Sequence, residues 1–415
     1  MRSWGALLVG LLWGMAQPVY AELSADIIQQ MFYPYAQGQP SAAGLTPGTT
    51  VSKDTLDAAK EYLPPEILDK IQAGEFQFSV QDTTDLPVSE AYIEATKKYA
   101  EQVKLSADGE LAGYVAGLPF PVLDPADPQA GLKAAWNMRY RDFGDVVQIW
   151  NTFRLVSESG SADREIENYY VIAYGMHRPV TDSENPNKWE QDGILYKEFY
   201  HILTPFDLKN SMALKHRYVR DQANDDNWAY TPASRKIRKI IVKQEDTAYD
   251  SSALNEDYFG FWGYIRSCDW KLLGERTLLA PVGAKVASTT WGGRGQWYPV
   301  DPWELRKMIA LECTPKERNH PYSKRVLYID QQTFAPVYAV LYDRQGQHQK
   351  TLFDLYGNPQ YNPGNEQVRV PVWIGESVID YENKFASITV VTKTVYNQAL
   401  PDDFFNLDKI AARGR

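Results

Sequence analysis

The stretch YSKRVLYIDQQTFAPVYAVLYD (residues 322–343) decides the fold, because two apolar runs in it are separated by a short polar turn. In the first run, Val326 and Tyr328 share one face of a strand, and Leu327 and Ile329 share the other. In the second run, every residue from 337 to 341 is apolar. A sheet with one solvated face alternates between apolar and polar residues. The pattern therefore predicts a β-hairpin covered on both faces, by a packed core or by a cavity that holds a ligand.

The chain has the same β character from residue 145 onward. Its segments are rich in β-branched and aromatic residues, and turn residues separate them. About ten strands at this spacing, with few helices between them, favour a largely antiparallel sheet or an open barrel. We predict strands over 146–157, 165–174, 193–203, 212–219, 234–242, 269–282, 303–313, 324–330, 336–343, 349–356 and 385–397.

The part of the chain before the β region has a helical or extended pattern. The segment KDTLDAAKEYLPPEILDKIQAG (53–74) predicts two short helices, because Pro64 and Pro65 separate them and a glycine ends the second. The segment SEAYIEATKKYAEQVK (89–104) predicts a longer helix with apolar residues at helical spacing. The proline-rich segment 117–131 predicts a linker or an extended wrap.

The first residues, MRSWGALLVGLLWGMAQPVYA, have the pattern of a secretory signal peptide. Arg2 supplies the positive charge, and the apolar stretch that follows is too short to span a bilayer. Small residues at Val19 and Ala21 predict cleavage after Ala21. The alternative is a membrane anchor. We predict a signal peptide over 1–21, a helical and extended segment over 22–131 that packs on the sheet, and a β domain over 132–415.

The charge and cysteine content restrict the possible partners. The chain has 43 Lys and Arg against 53 Asp and Glu, and this net charge of −10 argues against a nucleic-acid partner. Cys268 and Cys313 are the two cysteines, and an exported chain with an even pair favours one disulfide over two buried thiols. Two cysteines without a nearby histidine do not make a structural zinc site, so no metal site is predicted.

No catalytic motif is present in the sequence. The five histidines do not form an H-E-x-x-H pattern, and the chain has neither a G-x-S-x-G nucleophile elbow nor a phosphate-binding loop. The glycine-rich segment WGGRGQWYP (291–299) lacks the spacing of a dinucleotide fingerprint. We therefore predict no catalytic residue, no cofactor and no enzymatic activity.

Two features are candidates for binding instead. The segment SRKIRKIIVK (234–243) interleaves basic with aliphatic residues, and it predicts a solvated outer strand or a contact for an acidic partner or lipid headgroups. Aromatic residues are abundant, and they line apolar pockets as readily as they fill β cores. The candidate partner contacts are Arg235, Lys236, Arg238 and Lys239, and the candidate cavity residues are Trp262, Trp270, Trp291, Trp297, Tyr328 and Tyr338.

Four segments together resemble a known family. They are 137–150, 235–282, 304–347 and 395–405, and they include R-K-I-R-K, D-W-K-L-x-G-x-R and Y-I-D-x-x-T-F patterns. The chain resembles the bacterial exported proteins that carry the domain of unknown function thirteen-twenty-nine, a family similar to the outer-membrane lipoprotein-sorting proteins LolA and LolB. No catalytic residue is established for that family, so the resemblance transfers none.

The resemblance implies a strongly curved antiparallel sheet of the LolA type, an incomplete barrel closed by helices around an apolar cavity. In the sorting proteins that cavity holds acyl chains. The present chain is longer than a sorting protein and lacks the lipid-anchor cysteine of LolB. The resemblance also implies transport of hydrophobic compounds through the periplasm, with an inner-membrane transporter or an outer-membrane barrel protein as a partner.

The hypothesis from sequence is a periplasmic carrier or chaperone for a hydrophobic small molecule or lipid. One alternative is an interaction subunit of an envelope transport system with a packed core and no ligand. A second alternative is a hydrolase, which would require a cleft that places a histidine beside a serine or a carboxylate.

Overall fold

A large β-sheet and a few short helices make up the described chain. The computed structural model describes residues 23–179, 186–247 and 251–414. The predicted signal peptide over residues 1–21 lies outside the described residues. The α-helices of the described ranges are α1 (Ala25–Phe32), α2 (Pro65–Gln72), α3 (Glu90–Tyr99), α4 (Ala130–Arg139) and α5 (Leu407–Arg413).

The strands of the described ranges are numbered in chain order. The bounds of the first ten are β1 (Thr50–Val51), β2 (Phe78–Gln81), β3 (Lys104–Leu105), β4 (Leu111–Ala112), β5 (Val146–Ser157), β6 (Ala162–Tyr174), β7 (Ile194–Thr204), β8 (Met212–Tyr218), β9 (Asp226–Thr231) and β10 (Lys236–Ile240). The others are β11 (Cys268–Ala280), β12 (Val282–Ala284), β13 (Trp291–Gly292), β14 (Tyr298–Pro299), β15 (Trp303–Pro315), β16 (Lys324–Asp330), β17 (Pro336–Tyr342), β18 (His348–Gly357), β19 (Val372–Asp380) and β20 (Phe385–Tyr396).

The main sheet is open and mixed. Its strand order is β1-β2-β15-β16-β17-β18-β19-β20-β5-β6-β7-β8-β9-β10, with β11 paired to β15 and β12 to β18. Among the described residues, β1 and β10 form the two ends of this order and do not pair with each other, so the sheet is not closed into a barrel. The sheet is largely antiparallel, as predicted, and its two parallel pairs among the described residues are β2 with β15 and β12 with β18.

The helices near the N-terminus are shorter than the segments 53–74 and 89–104 that predicted them. α3 begins after Ser89, whose Oγ accepts a hydrogen bond from the amide of Tyr92 at 3.4 Å. α2 begins at Pro65, where a missing amide hydrogen costs nothing. One core cluster contains side chains from both sides of residue 131, and the predicted division of the chain there stays a prediction.

The hairpin that decides the fold consists of β16 and β17. Leu327 lies opposite Ala339, and Tyr328 lies opposite Tyr338. Asp330 stabilises the turn. Its Oδ2 atom accepts hydrogen bonds from the backbone amide of Thr333 at 3.0 Å and from the Thr333 hydroxyl at 2.9 Å. Nearly every side chain of the two strands is buried, so the prediction of cover on both faces is confirmed.

Aromatic side chains of the protein fill one face of the hairpin. The ring centroid of Tyr338 lies 6.3 Å from those of Trp303 and Phe353, and Trp303 stacks on Phe78 at 4.1 Å. All four rings are buried. The packed-core interpretation therefore applies to this face, and the ligand-cavity interpretation is wrong for it.

A segment that we call the strap, residues 251–265, covers the other face. Arg325 of β16 donates to strap residues Glu256 and Asp257, with 2.8 Å from Nη1 to the Asp257 Oδ1 atom. The strap then crosses β19, where the Glu376 carboxylate accepts the amide of Phe259 at 2.7 Å. Buried charged and polar contacts thus fix the strap to the sheet.

Candidate functional site

A cavity of about 450 Å³ lies where the strap reaches strands β5–β9. Four residues of the strap line it, namely Asn255, Tyr258, Phe259 and Trp262, and the segment from the end of β10 to residue 247 contributes a further wall. The aromatic side chains that line this cavity are Phe153, Tyr170, Tyr200, Trp228, Tyr258, Phe259, Trp262 and Trp373. Eight aromatic side chains therefore contribute to the walls of the site.

The register of the strands determines which side chains line the cavity. Tyr170 of β6 lies opposite Tyr200 of β7, which lies opposite Ala213 of β8. Two residues further along the strands, Glu198 of β7 lies opposite Lys215 of β8. Because side chains alternate between faces with a period of two, both rows of residues point to the same side. The strap covers that side.

Polar groups also line the cavity, and we call Asn151, Asn168, Glu198 and Lys215 the polar cluster. The Lys215 Nζ atom lies 2.7 Å from the Glu198 Oε1 atom, and the indole of Trp262 donates to the same oxygen at 2.6 Å. The Asn168 Nδ2 atom donates to the Asn151 Oδ1 atom at 2.8 Å. The polar cluster thus combines an ion pair with an amide pair.

Burial shapes the chemistry of the tyrosine next to this cluster. Burial raises the pKa of Tyr170 well above its ordinary value, and the nearby Glu198 carboxylate raises that pKa further. The hydroxyl of Tyr170 therefore stays protonated at neutral pH and acts as a hydrogen-bond donor.

The mouth of the cavity lies at the edge strand of the sheet. Ile240 and Ile241 line the cavity and are exposed to solvent, Ile241 to 94%. Such an exposed aliphatic pair next to an apolar pocket is a feature of binding sites more than of ordinary surface.

The candidate basic residues lie on this same edge. Arg235, Lys236, Arg238 and Lys239 are exposed, and Lys239 forms an ion pair with Asp226 at 2.7 Å. Arg235 lies in the turn before β10, and the other three belong to β10. Their proposed contact with a partner stays a prediction.

The structure brings one of the six candidate cavity residues to the cavity. Trp262 lines it, whereas the other five lie outside its lining. The indole of Trp297 is fully buried and donates to the Val156 carbonyl at 3.0 Å. The indole of Trp270 donates to the Ile265 carbonyl at 2.7 Å.

The remaining candidates belong to other parts of the fold. Tyr328 packs on Tyr338, with ring centroids 4.9 Å apart, and the Tyr338 hydroxyl donates to a backbone carbonyl of β11 at 3.3 Å. Trp291 is half-buried in the short pair β13–β14.

Sequence reasoning missed seven of the eight aromatic lining residues, among them Tyr170, Tyr200 and Trp373. The β6 segment YYVIAY (169–174) is apolar or aromatic on both faces, so its pattern does not separate a cavity face from a core face. Only the register of neighbouring strands makes that distinction. The useful signal is the position of Asn168, a polar residue directly before the apolar run of β6 and on the same face as Tyr170.

Within the described ranges, no histidine lines the cavity. His320 lies 2.9 Å from the Glu256 carboxylate, but it is only 4% exposed and the same carboxylate pairs with Arg325. Within residues 23–179, 186–247 and 251–414, no group of three or more His, Cys, Asp or Glu is arranged to hold a metal ion. The geometry therefore gives no support to the hydrolase alternative.

Cys268 and Cys313 are joined by a disulfide between β11 and β15. The two strands pair along their length, with Trp270 opposite Cys313. The disulfide therefore links β11 covalently to β15, which is the neighbour of hairpin strand β16 in the sheet.

A family model for a protein of unknown function, DUF1329, matches residues 50–410. The chain belongs to the DUF1329 family. The resemblance stated from the sequence, to the domain of unknown function thirteen-twenty-nine, is confirmed. No curated protein matches the chain.

Solved structures similar to this DUF1329 protein include three bacterial proteins. A domain named for outer membrane lipoprotein sorting, from Vibrio parahaemolyticus, has 17% identity and a TM-score of 0.49, covering 69% of this chain and 100% of its own. A DUF1329 family protein from Desulfovibrio piger has 18% identity and a TM-score of 0.49, covering 69% and 99%. A LolA superfamily protein from Nitrosomonas europaea has 16% identity and a TM-score of 0.40, covering 68% and 98%.

Among the described residues, no helix has the length and apolar character needed to cross a bilayer.

Proposed function

We propose that this DUF1329 protein is a periplasmic carrier or chaperone that holds a hydrophobic ligand, such as a lipid or an acyl chain, in the cavity. The observation that carries the proposal is the space of about 450 Å³ with aromatic walls. Small-molecule sites typically have volumes of about 300–1,000 Å³ and mostly apolar linings.

The hydrophobic effect supplies enough free energy for such a role. Burial of apolar surface stabilises by about 25 cal/mol per Å², so a ligand that buries about 200 Å² gains about 5 kcal/mol. This process needs no catalytic group. The exposed Ile240 and Ile241 at the mouth support entry of an apolar molecule from that edge.

A blocking variant tests the proposal. Ala213 lies in the cavity lining opposite Tyr200, so Ala213→Trp should fill part of the space. Ala162→Trp is the matched control, because Ala162 is exposed at the start of β6.

The measurement is uptake of fluorescent fatty-acyl and phospholipid probes, together with mass spectrometry of lipid extracts from protein purified from periplasm. We expect uptake by the natural chain and by Ala162→Trp, and loss of uptake in Ala213→Trp at unchanged unfolding free energy. Absence of uptake and of any extracted compound in the natural chain would overturn the proposal.

The alternative function is an interaction subunit of an envelope transport system, and the exposed basic edge strand favours it. Charge reversal through Arg235→Glu and Arg238→Glu should then abolish crosslinking in cells to an inner-membrane transporter or an outer-membrane barrel protein. Retained crosslinking after charge reversal would remove the support for this alternative.

A further inference from the structure

The cavity contains a buried acceptor without a partner. Asn168 lines the cavity and is 2% exposed. Its Nδ2 atom donates to Asn151, while its Oδ1 atom is buried and has no hydrogen-bond partner within the described part of the chain. Buried polar atoms are nearly always paired, since an unpaired one loses its hydrogen bonds to water without replacement. A ligand that donates a hydrogen bond would satisfy this atom.

Two of the three charged residues in the cavity lining neutralise each other. Lys215 and Glu198 neutralise each other at 2.7 Å, and Trp262 also donates to Glu198. The remaining charged residue of the lining, Asp246, is exposed. A charged ligand end would therefore be removed from water next to a pair that already holds its own counter-ion, and burial of an unpaired charge is costly.

The apolar lining fits the remainder of such a ligand. Leu214, Trp228, Ile240 and Phe259 line the cavity together with the polar cluster. One molecule with an apolar body and a small polar end would match both parts of the lining. A purely aliphatic molecule would leave the Asn168 oxygen unpaired.

We propose that the cavity selects a neutral amphiphile whose polar end donates a hydrogen bond to the Asn168 Oδ1 atom. An alcohol or an amide at the end of an apolar chain or ring system has this chemistry. The inference rests on the proposed function, because it names the class of ligand that the same cavity would take.

A series of three probes with linear alkyl chains of similar length tests the inference by calorimetry at pH 8. 1-Decanol has a donor and no charge, decyl methyl ether accepts but does not donate, and decanoate is negatively charged. We expect 1-decanol to bind at least about five times more tightly than the ether, the ratio for one net hydrogen bond. We expect decanoate to bind at least about ten times more weakly than 1-decanol.

The variant Asn168→Leu removes the acceptor and keeps a branched side chain with the same number of heavy atoms. This substitution should lower the affinity for 1-decanol to that for the ether, while the affinity for the ether stays as in the natural chain or rises. The three-probe comparison on the natural chain does not depend on this variant, so the inference stays testable if Asn168→Leu does not fold. Ala213→Trp should abolish binding of all probes, which would locate them in the cavity.

The outcomes separate the two proposals. Equal affinity for 1-decanol and the ether, or tightest binding of decanoate, would overturn the inference and leave the carrier function standing. Failure of all three probes to bind the natural chain would overturn the carrier function and the inference with it.

Discussion

The carboxyl group of Asp142 should set part of the pH dependence of folding. The residue lies in the turn between α4 and β5, and its side chain is partly accessible. Its Oδ2 atom, however, is buried and has no hydrogen-bond partner among the described residues. Burial, followed by repulsion from Asp145, raises the pKa of Asp142 to about 7.

The sign of the effect follows from linkage. The pKa is about 3.9 in the unfolded chain, so the folded state holds the proton more tightly. The corresponding stability is fully present below about pH 4 and is lost as the pH rises through about 7. Asp142→Asn is neutral at every pH, so its unfolding free energy relative to the natural chain should rise with pH.

The magnitude follows from the size of the shift. About two of the three units between the two pKa values lie between pH 5 and pH 7, and each unit corresponds to 1.36 kcal/mol. The ceiling between pH 5 and pH 8.5 is therefore about 3 kcal/mol. Since the side chain is partly accessible and salt screens the repulsion from Asp145, we expect about 1–2 kcal/mol.

Urea unfolding of both proteins at pH 5 and pH 8.5 measures this difference. Asp69→Asn, at an exposed position of α2, controls for the loss of one negative charge. If the difference between Asp142→Asn and the natural chain is the same at both pH values, the reasoning from burial is wrong.

Three further predictions concern stability, each measured by urea unfolding. Cys268→Ala with Cys313→Ala should cost about 2–4 kcal/mol, because the bond joins residues separated by 45 positions, and an unchanged midpoint would contradict this. Arg325→Met should lower the free energy of unfolding by about 3–5 kcal/mol, because Asp257 is left buried without its counter-ion. The additional substitution Asp257→Asn should restore part of that loss, and no restoration would contradict the pairing. Trp303→Ala should cost about 3–5 kcal/mol by removing a buried indole, and a cost below about 1 kcal/mol would show that the site collapses to fill the space.

The sequence predicted the hairpin because its two strands are apolar on both faces, and the structure buries both faces. It did not predict α4, although the segment AGLKAAWNMR contains good helix formers. Nearly all of its residues are buried, so no polar stripe alternates with an apolar one. A helix buried on most sides leaves no helical period in the sequence.

The strand β19 was missed for a related reason. Its sequence VWIGESVID contains glycine, glutamate, serine and aspartate, which are depleted in strands, yet all nine residues are buried. The glutamate, Glu376, is used to hold the strap through the amide of Phe259. When a polar residue is buried to make a long-range contact, the local sequence resembles that of a loop.

The position of the cavity was beyond the reach of the sequence for a different reason. The hairpin and strands β5–β9 have similar apolar patterns, but aromatic residues from distant positions, such as Phe78 and Trp303, fill the space at the hairpin. Whether the space over one half of a sheet is filled by side chains depends on where segments that are distant in sequence pack. Periodicity within a strand carries no information about that.

The pairing of β5 with β20 has a consequence for biosynthesis. Val147 lies opposite Tyr396, and Ser157 lies opposite Phe385, so neighbouring strands of the finished sheet leave the ribosome far apart in time. Until the last strand has been made, β5 presents a bare row of amides and carbonyls, which invites pairing with other chains. Late completion of the sheet is compatible with the export that the sequence predicts. Truncation before residue 385 should make the expressed chain accumulate in inclusion bodies, because β5 then lacks β20 along one of its edges.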